Sequence, residues 1–182
     1  YDASGQRVRK VTESMVSAQD AANERQPVRL KERIYLGGFE IYRVDDWIHQ
    51  PNRIVEWVRS RSERPYFLFL HCYETHEPYT HTRFAEGMPS GRLAGEFSKE
   101  IWNRLRKRFS EEEMAYAKAL YDGDIAYTDS KIGVFFSEFE RAGLLANSIV
   151  IVTSDHGEQF WEHGSWGHGQ NLHDHQIHVP LF

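Results

Sequence analysis

Two short apolar segments separated by a long helical pattern most constrain the fold of this chain. The segments PYFLFLH and IVIV predict buried strands at residues 66–70 and 149–153, because each run is short and is bounded by polar residues. Between them, Ser110 and Glu113 form a capping-box pattern that begins a helix over roughly 110–142. A strand, a helix and a strand in this order form a parallel pair with a right-handed crossover. The sequence therefore predicts an α/β fold with a parallel sheet flanked by helices.

A further helix and a β-hairpin are predicted earlier in the chain. The helix is indicated by one apolar face, with a proline that is tolerated in the first turn: Trp47, Pro51, Ile54, Val55 and Val58. Apolar residues at two-residue spacing around Gly37-Gly38 predict a hairpin at 33–43. The later chain offers this hairpin no obvious sheet to join, so we expect it to lie apart or to pack weakly on an edge.

Composition excludes several classes of protein. The chain has 182 residues, 40% of them hydrophobic, which suits one ordinary globular core. Its net charge is −5, and neither residues 1–43 nor the remainder is polybasic, so a nucleic-acid partner is not expected. Cys72 is the single cysteine, which excludes an internal disulfide framework. No apolar run is long enough to predict a membrane span, and YDASGQRVRK lacks the apolar core of a signal peptide.

Ligand-type side chains follow both predicted strands. HCYETHEPYTH comes after the first, and SDHGE after the second. Because open α/β sheets bind ligands at the carboxyl ends of their strands, Asp155 is well placed to bind a hard cation, with His156 beside it. Taken alone, an Asp-His-Gly pattern is more often a helix cap or turn, and His76 a solvated loop residue. Five other histidines lack a fixed metal-binding spacing and indicate at most an adventitious zinc cluster: His163, His168, His173, His175 and His178.

The ordered series of motifs resembles the sulfatase family of the alkaline phosphatase superfamily. The likeness is carried by YFLFLHCYETHEPY and by the run from YDGDIAYTDS through SDHGEQFWEHGSWGHG to VPLF, and it covers about residues 44–182. It implies part of an alkaline-phosphatase-like fold and a sulfate ester as substrate. It also implies a divalent cation, most often calcium, bound by Asp155 and His156. By the same resemblance, His76 faces the sulfate and leaving group as candidate acid, and His168 stands where a sulfate-contacting lysine is common.

The chain departs from the family pattern at the nucleophile. Sulfatases attack with a formylglycine made within a Cys-x-Pro-Ser-Arg motif, and Cys72 has no Pro-Ser-Arg after it. We therefore expect residues 44–182 to be the central fragment of a sulfatase domain and to be inactive alone. Strands left uncovered in such a fragment predict self-association. The resemblance favours a periplasmic or extracellular location, and it does not identify the substrate.

Residues 1–43 resemble a different class of protein. YDASGQRVRKV and KERIYLGGFEIYR are similar to the YD-repeat segments of Rhs and insecticidal toxin-complex proteins. This likeness predicts a β segment of separate origin that joins the sulfatase-like part near Arg43 or Val44. Three alternatives to a sulfatase therefore remain: a toxin-shell fragment, a non-functional chimera, and a phosphodiester or phosphonate hydrolase of the same superfamily.

Overall fold

A computed structural model describes residues 9–13, 29–36, 39–43, 47–61, 65–105 and 108–182. The chain divides into two compact units. The first unit comprises Tyr1–Tyr73 and Val134–Ala142, and the second comprises Glu74–Gly133 and Gly143–Phe182.

A three-stranded antiparallel sheet lies in the first unit. Its strands, in the spatial order β1, β2, β3, are Arg9–Glu13, Arg29–Leu36 and Phe39–Arg43. Because Leu36 pairs with Phe39, β2 and β3 form the predicted hairpin; its turn residues 37–38 lie outside the described part of the chain. The sequence did not predict β1, which pairs with β2 across a long connection.

Helix α1, Pro51–Arg59, packs in the same unit with Pro51 in its first turn. Its buried face contains Ile54, Val55 and Val58, as the periodicity predicts. A short 3-10 helix, Trp47–His49, precedes it. Trp47 is buried, donates from Nε1 to the carbonyl oxygen of His71 over 2.9 Å, and meets the Phe135 ring edge-on at 5.0 Å.

Residues 66–70 do not form the buried strand that the sequence predicts. Their only described β feature is an isolated bridge at Phe67, and the side chains of Phe67 and Phe69 are exposed. An apolar run becomes a strand only when neighbouring strands satisfy its backbone groups. In the described part of the first unit, no strand ladder includes this segment.

The long helix predicted at 110–142 is confirmed as α3, Glu111–Arg141. Its start is the predicted capping box: Glu113 N donates to Ser110 Oγ over 3.2 Å, and Ser110 N donates to Glu113 Oε2 over 3.0 Å. Residues up to Gly133 belong to the second unit and the remainder to the first. None of the helices in the described residues has the length and hydropathy needed to cross a bilayer.

Aromatic side chains fill the core of the second unit. Tyr79 and Phe97 form its centre, exchanging two backbone hydrogen bonds of 2.8 and 3.0 Å. The short elements around them are α2, Lys99–Arg104; β4, Gln159–Phe160; β5, Trp166–Gly167; and α4, Asp174–Ile177. The rings packed in this core are Tyr79, Phe97, Trp102, Phe109, Tyr116, Tyr121, Phe160, Trp161 and Trp166.

Residues 149–153 also differ from the prediction. The side chains of Ile149 and Ile151 are 93% and 68% exposed. Val152 exchanges two backbone hydrogen bonds with Phe182, and Thr153 forms an antiparallel bridge with Leu181. The strands predicted at 66–70 and 149–153 are therefore wrong for the described residues, because neither segment belongs to a strand ladder there. A strand buried on both faces needs neighbouring strands and covering helices, and no described strand pairs with 149–151.

Candidate functional site

Three imidazoles from separate loops meet in the second unit. The ring of His168, which follows β5, stacks on His156 with centroids 3.7 Å apart. It also faces the ring of His76 edge-on at 6.0 Å. Asp155 directly precedes His156, so all four residues singled out in the sequence belong to one neighbourhood of this unit.

Asp155 and His156 have a geometry that suits two ligands of one cation. His156 Nδ1 donates to the carbonyl oxygen of Gly157 over 2.8 Å, because a carbonyl oxygen can only accept. In the neutral ring Nε2 then carries the lone pair; it lies 3.9 Å from Asp155 Oδ1, which also accepts from His156 N over 3.1 Å. These donors fit part of a divalent-metal shell, whereas calcium takes about six to eight ligands. In the part of the chain that is described, no three His, Cys, Asp or Glu side chains are arranged to hold a metal ion.

Close backbone packing shapes the turn after Asp155. Gly157 N donates to the carbonyl oxygen of Gln176 over 2.8 Å. A Cβ at position 157 would overlap the carbonyl oxygen of His175, so the close approach of the two chain segments requires glycine. Ser154 Oγ donates to the carbonyl oxygen of His156 over 2.6 Å and closes the same turn.

Two glycines and a buried glutamine hold the backbone around His168. Gly167 and Gly169 have φ angles of +106° and +77°, a region that favours glycine. Gln176 Nε2 donates to the carbonyl oxygen of Gly167 over 3.3 Å, and Gln176 Oε1 accepts from Gly169 N over 3.0 Å. Because Gln176 is itself buried and bonded to Gln159, it holds both neighbours of His168 in place.

A buried carboxylate that the sequence analysis did not single out contacts His168. Glu158 has a side chain only 7% exposed; its Oε1 lies 3.2 Å from His168 Nδ1, and its Oε2 accepts from Tyr79 Oη over 2.6 Å. Burial, reinforced by the charge of Glu158, raises the pKa of Tyr79, so the phenol remains a donor. Glu158 stands in the SDHGE motif, but its role depends on a tyrosine 79 residues away.

Asp124 anchors the loop that contains His76 to helix α3. Its Oδ1 accepts from the backbone N of His81 over 3.1 Å and also contacts His81 Nδ1. Its Oδ2 is buried and has no hydrogen-bond partner among the described residues. Gly123 permits this approach, because a Cβ there would overlap the carbonyl oxygen of His81.

Three of the remaining histidines also lie close together. The ring of His163 stacks on His173 with centroids 3.6 Å apart and meets His175 at 5.5 Å. In the described structure these rings are not placed as three ligands of one ion.

Comparison with known proteins identifies the family. The family model described as Sulfatase matches residues 46–182. Arylsulfatase K of Bos taurus is 28% identical, over 75% of this chain and 30% of that protein. An arylsulfatase of Clostridium perfringens is 26% identical, over 72% of this chain and 30% of that protein. A multifunctional alkaline phosphatase superfamily protein, PehA of Trinickia caryophylli, is 26% identical, over 61% and 27%.

These matches define what the chain shares with its relatives. It spans about 30% of the length of the two arylsulfatases named above. No solved structure gives a significant match. Since the family model covers most of the sequence, from just after Asp45 to Phe182, the chain belongs to the sulfatase family of the alkaline phosphatase superfamily.

Proposed function

We propose that this chain supplies the sulfate-contacting histidines and part of the metal shell of a sulfate-ester hydrolase. The observation that supports the proposal is the meeting of His76, His156 and His168 in one unit. Cleavage of a sulfate ester spreads negative charge over several oxygens and releases an alkoxide. Donors to those oxygens and an acid for the leaving group are the groups this chemistry requires.

His76 is the proposed acid for the leaving group. Its Nδ1 donates to the carbonyl oxygen of Glu77 over 2.9 Å, which fixes that nitrogen as the protonated one. Protonation of the ring then places the second proton on Nε2, from which it would pass to the leaving oxygen. His168 would bind a sulfate oxygen through Nε2, because its Nδ1 faces Glu158.

Asp155 and His156 are the proposed ligands of a divalent cation, with calcium as the expected ion. Asp155 Oδ1 and His156 Nε2 lie 3.9 Å apart, a separation that two ligands of one ion can have. A cation held there would withdraw charge from the sulfate oxygens. The remaining ligands would come from residues other than the described groups of this unit.

The nucleophile of the reaction is proposed to lie outside this chain. The sequence contains no Cys-x-Pro-Ser-Arg motif, and Cys72 is partly buried at the end of the 66–70 segment. The 182-residue chain is therefore proposed to bind a sulfate ester without turning it over.

A phosphodiester or phosphonate hydrolase is the second candidate. The similarity to PehA favours this candidate, because PehA is described as a multifunctional protein of the alkaline phosphatase superfamily and not as a sulfatase. A tetrahedral phosphoryl group presents oxygens much as a sulfuryl group does, so the same histidines would serve both.

Residues 1–43 are proposed to be a segment distinct from residues 44–182, related to YD-repeat proteins. That this segment is distinct is supported by the pairing of β1–β3 with one another and by the start of the family match at residue 46. The proposed relation to YD-repeat proteins rests on the sequence motifs alone. This division is tested with a chain that starts at residue 44. We expect its imidazole NMR signals to match those of the full chain. Loss of those signals would contradict it.

Binding of a sulfate ester to the imidazoles tests the proposed function. We expect 4-nitrophenyl sulfate, added to the full chain with calcium, to shift the imidazole NMR signals of His76 and His168 without release of nitrophenol. His168→Ala is expected to weaken binding, whereas His178→Ala serves as a control at an exposed histidine. Unchanged signals for both His76 and His168 contradict the proposal. Rapid turnover contradicts the external nucleophile, and a stronger response to a phosphate diester favours the second candidate.

A further inference from the structure

We infer that Glu158 is a positioning residue that fixes the imidazole of His168 through Nδ1 and directs Nε2 to the ligand. The functional part of this inference rests on the proposed role of His168. Neither the sequence motifs nor the family match assigns a role to Glu158.

The carboxylate of Glu158 is itself held rigidly. It is nearly buried, and Tyr79 Oη donates to its Oε2 over 2.6 Å. Tyr79 is fully buried and packs against the rings of Phe97 and Trp166. A buried carboxylate is strongly disfavoured without partners, so the contacts with Tyr79 and His168 account for its presence in this aromatic environment.

The contact with Glu158 selects one tautomer of His168. Both carboxylate oxygens accept hydrogen bonds only, and they lie 3.2 and 3.4 Å from His168 Nδ1. Nδ1 must therefore carry a proton, and Nε2 is the nitrogen directed away from Glu158. An imidazole can exist in either tautomer, and a hydrogen bond at one nitrogen commonly determines the function of the other.

The remaining contacts of His168 do not prevent rotation of its ring, whereas the contact with Glu158 does. The backbone on both sides is bonded to Gln176, and the ring face is covered by His156. Neither contact fixes the orientation of the ring, because stacking is largely indifferent to a flip that exchanges Nδ1 with Cδ2. The hydrogen bond from Nδ1 to Glu158 fixes both the orientation and the tautomer, because the flipped ring would turn Cδ2 towards the carboxylate.

The tautomer of His168 provides a direct test that needs no ligand. Long-range ¹H–¹⁵N spectra of the full chain are recorded at about pH 8, where an ordinary imidazole is neutral. In the wild type and in Tyr79→Phe, the His168 ring is expected to be protonated mainly at Nδ1. In Glu158→Leu it is expected to be protonated mainly at Nε2. Glu158→Gln keeps the shape of the side chain and is expected to give a mixture, which preserves the test if the leucine variant does not fold. A ring that stays protonated mainly at Nδ1 in Glu158→Leu, or in Glu158→Gln to the same extent as in wild type, overturns the inference.

Measurement of sulfate binding distinguishes a failure of this inference from a failure of the proposed function. Glu158→Leu is expected to weaken binding of inorganic sulfate about tenfold, a typical effect of losing an orienting partner, whereas Glu86→Leu, at an exposed carboxylate of the same unit, is expected not to. A tautomer change in a chain that never binds sulfate contradicts the proposed function and leaves the orienting contact established. Equal sulfate affinity in wild type and Glu158→Leu overturns the functional part of the inference.

Discussion

At the scale of single residues, buried carboxylates connect distant parts of the second unit. Each accepts hydrogen bonds from groups far away in the sequence, and each is almost inaccessible to water. A charge in such a position is tolerated only when it is paired, so removal of either partner destabilises the unit more than loss of a surface pair would. The pairs are Glu113 with Arg92, Asp124 with His81, and Glu158 with Tyr79.

The contribution of Glu113 to the stability of the unit depends on pH. Hydrogen bonds from Arg92, of 2.7 Å from Nε and 2.6 Å from Nη2, hold the pKa of Glu113 down to about 2. A lowered folded-state pKa adds stability that is present above the ordinary value of 4.5 and is lost as pH falls towards 2. We expect Glu113→Gln to lower the free energy of unfolding by about 1–3 kcal/mol at neutral pH. The difference from wild type should shrink over that acid range, as measured by urea unfolding.

The neighbouring residue Glu112 supplies the control for this prediction. It lies in the same first turn of α3 and its side chain is exposed. Glu112→Gln is expected to change the unfolding free energy by less than about 0.5 kcal/mol. A deficit of Glu113→Gln that is the same at pH 3 and pH 7 would show that the carboxylate charge is not what stabilises the cap.

At the scale of elements, the accuracy of prediction from sequence depended on the range of the interactions. Helix α3 begins and ends where predicted because its capping box and Gly143 are local signals. The β2–β3 hairpin is likewise specified by adjacent residues. Strand pairing at 66–70 and 149–153 depends on distant neighbours, which the apolar run alone does not identify. The same limit explains why Glu158, whose partner is Tyr79, was not singled out.

Two glycines of α3 allow the contact between this helix and the His76 loop to be measured. Alanine in place of glycine improves helix propensity by about 1 kcal/mol, equally at both positions. At Gly133 nothing lies near an added Cβ, whereas at Gly123 it would overlap the carbonyl oxygen of His81. We expect Gly133→Ala to be neutral or stabilising and Gly123→Ala to destabilise by about 1–3 kcal/mol, as measured by thermal and urea unfolding. Equal effects of the two substitutions would show that α3 does not pack on the loop as described.

At the scale of the whole molecule, family membership implies an α/β fold of the alkaline phosphatase type, and this chain spans about 30% of the length of the Bos taurus arylsulfatase K. The described residues show only short antiparallel sheets. The apolar segment 149–151 is therefore exposed, although its sequence is typical of a strand covered on both faces. Leu181 and Phe182 are exposed beside it and extend the apolar surface.

We expect this exposed segment to make copies of the chain associate. Unpaired strand-like backbone and apolar side chains together favour pairing with another copy. Ile151→Lys is expected to reduce association, because a lysine ammonium is strongly disfavoured in an apolar contact. Ile125→Lys, at an exposed isoleucine of α3, introduces the same charge elsewhere and should leave association unchanged. Sedimentation velocity over a range of concentrations measures the difference. A wild-type chain that remains monomeric at every concentration would mean that this surface is not adhesive in solution.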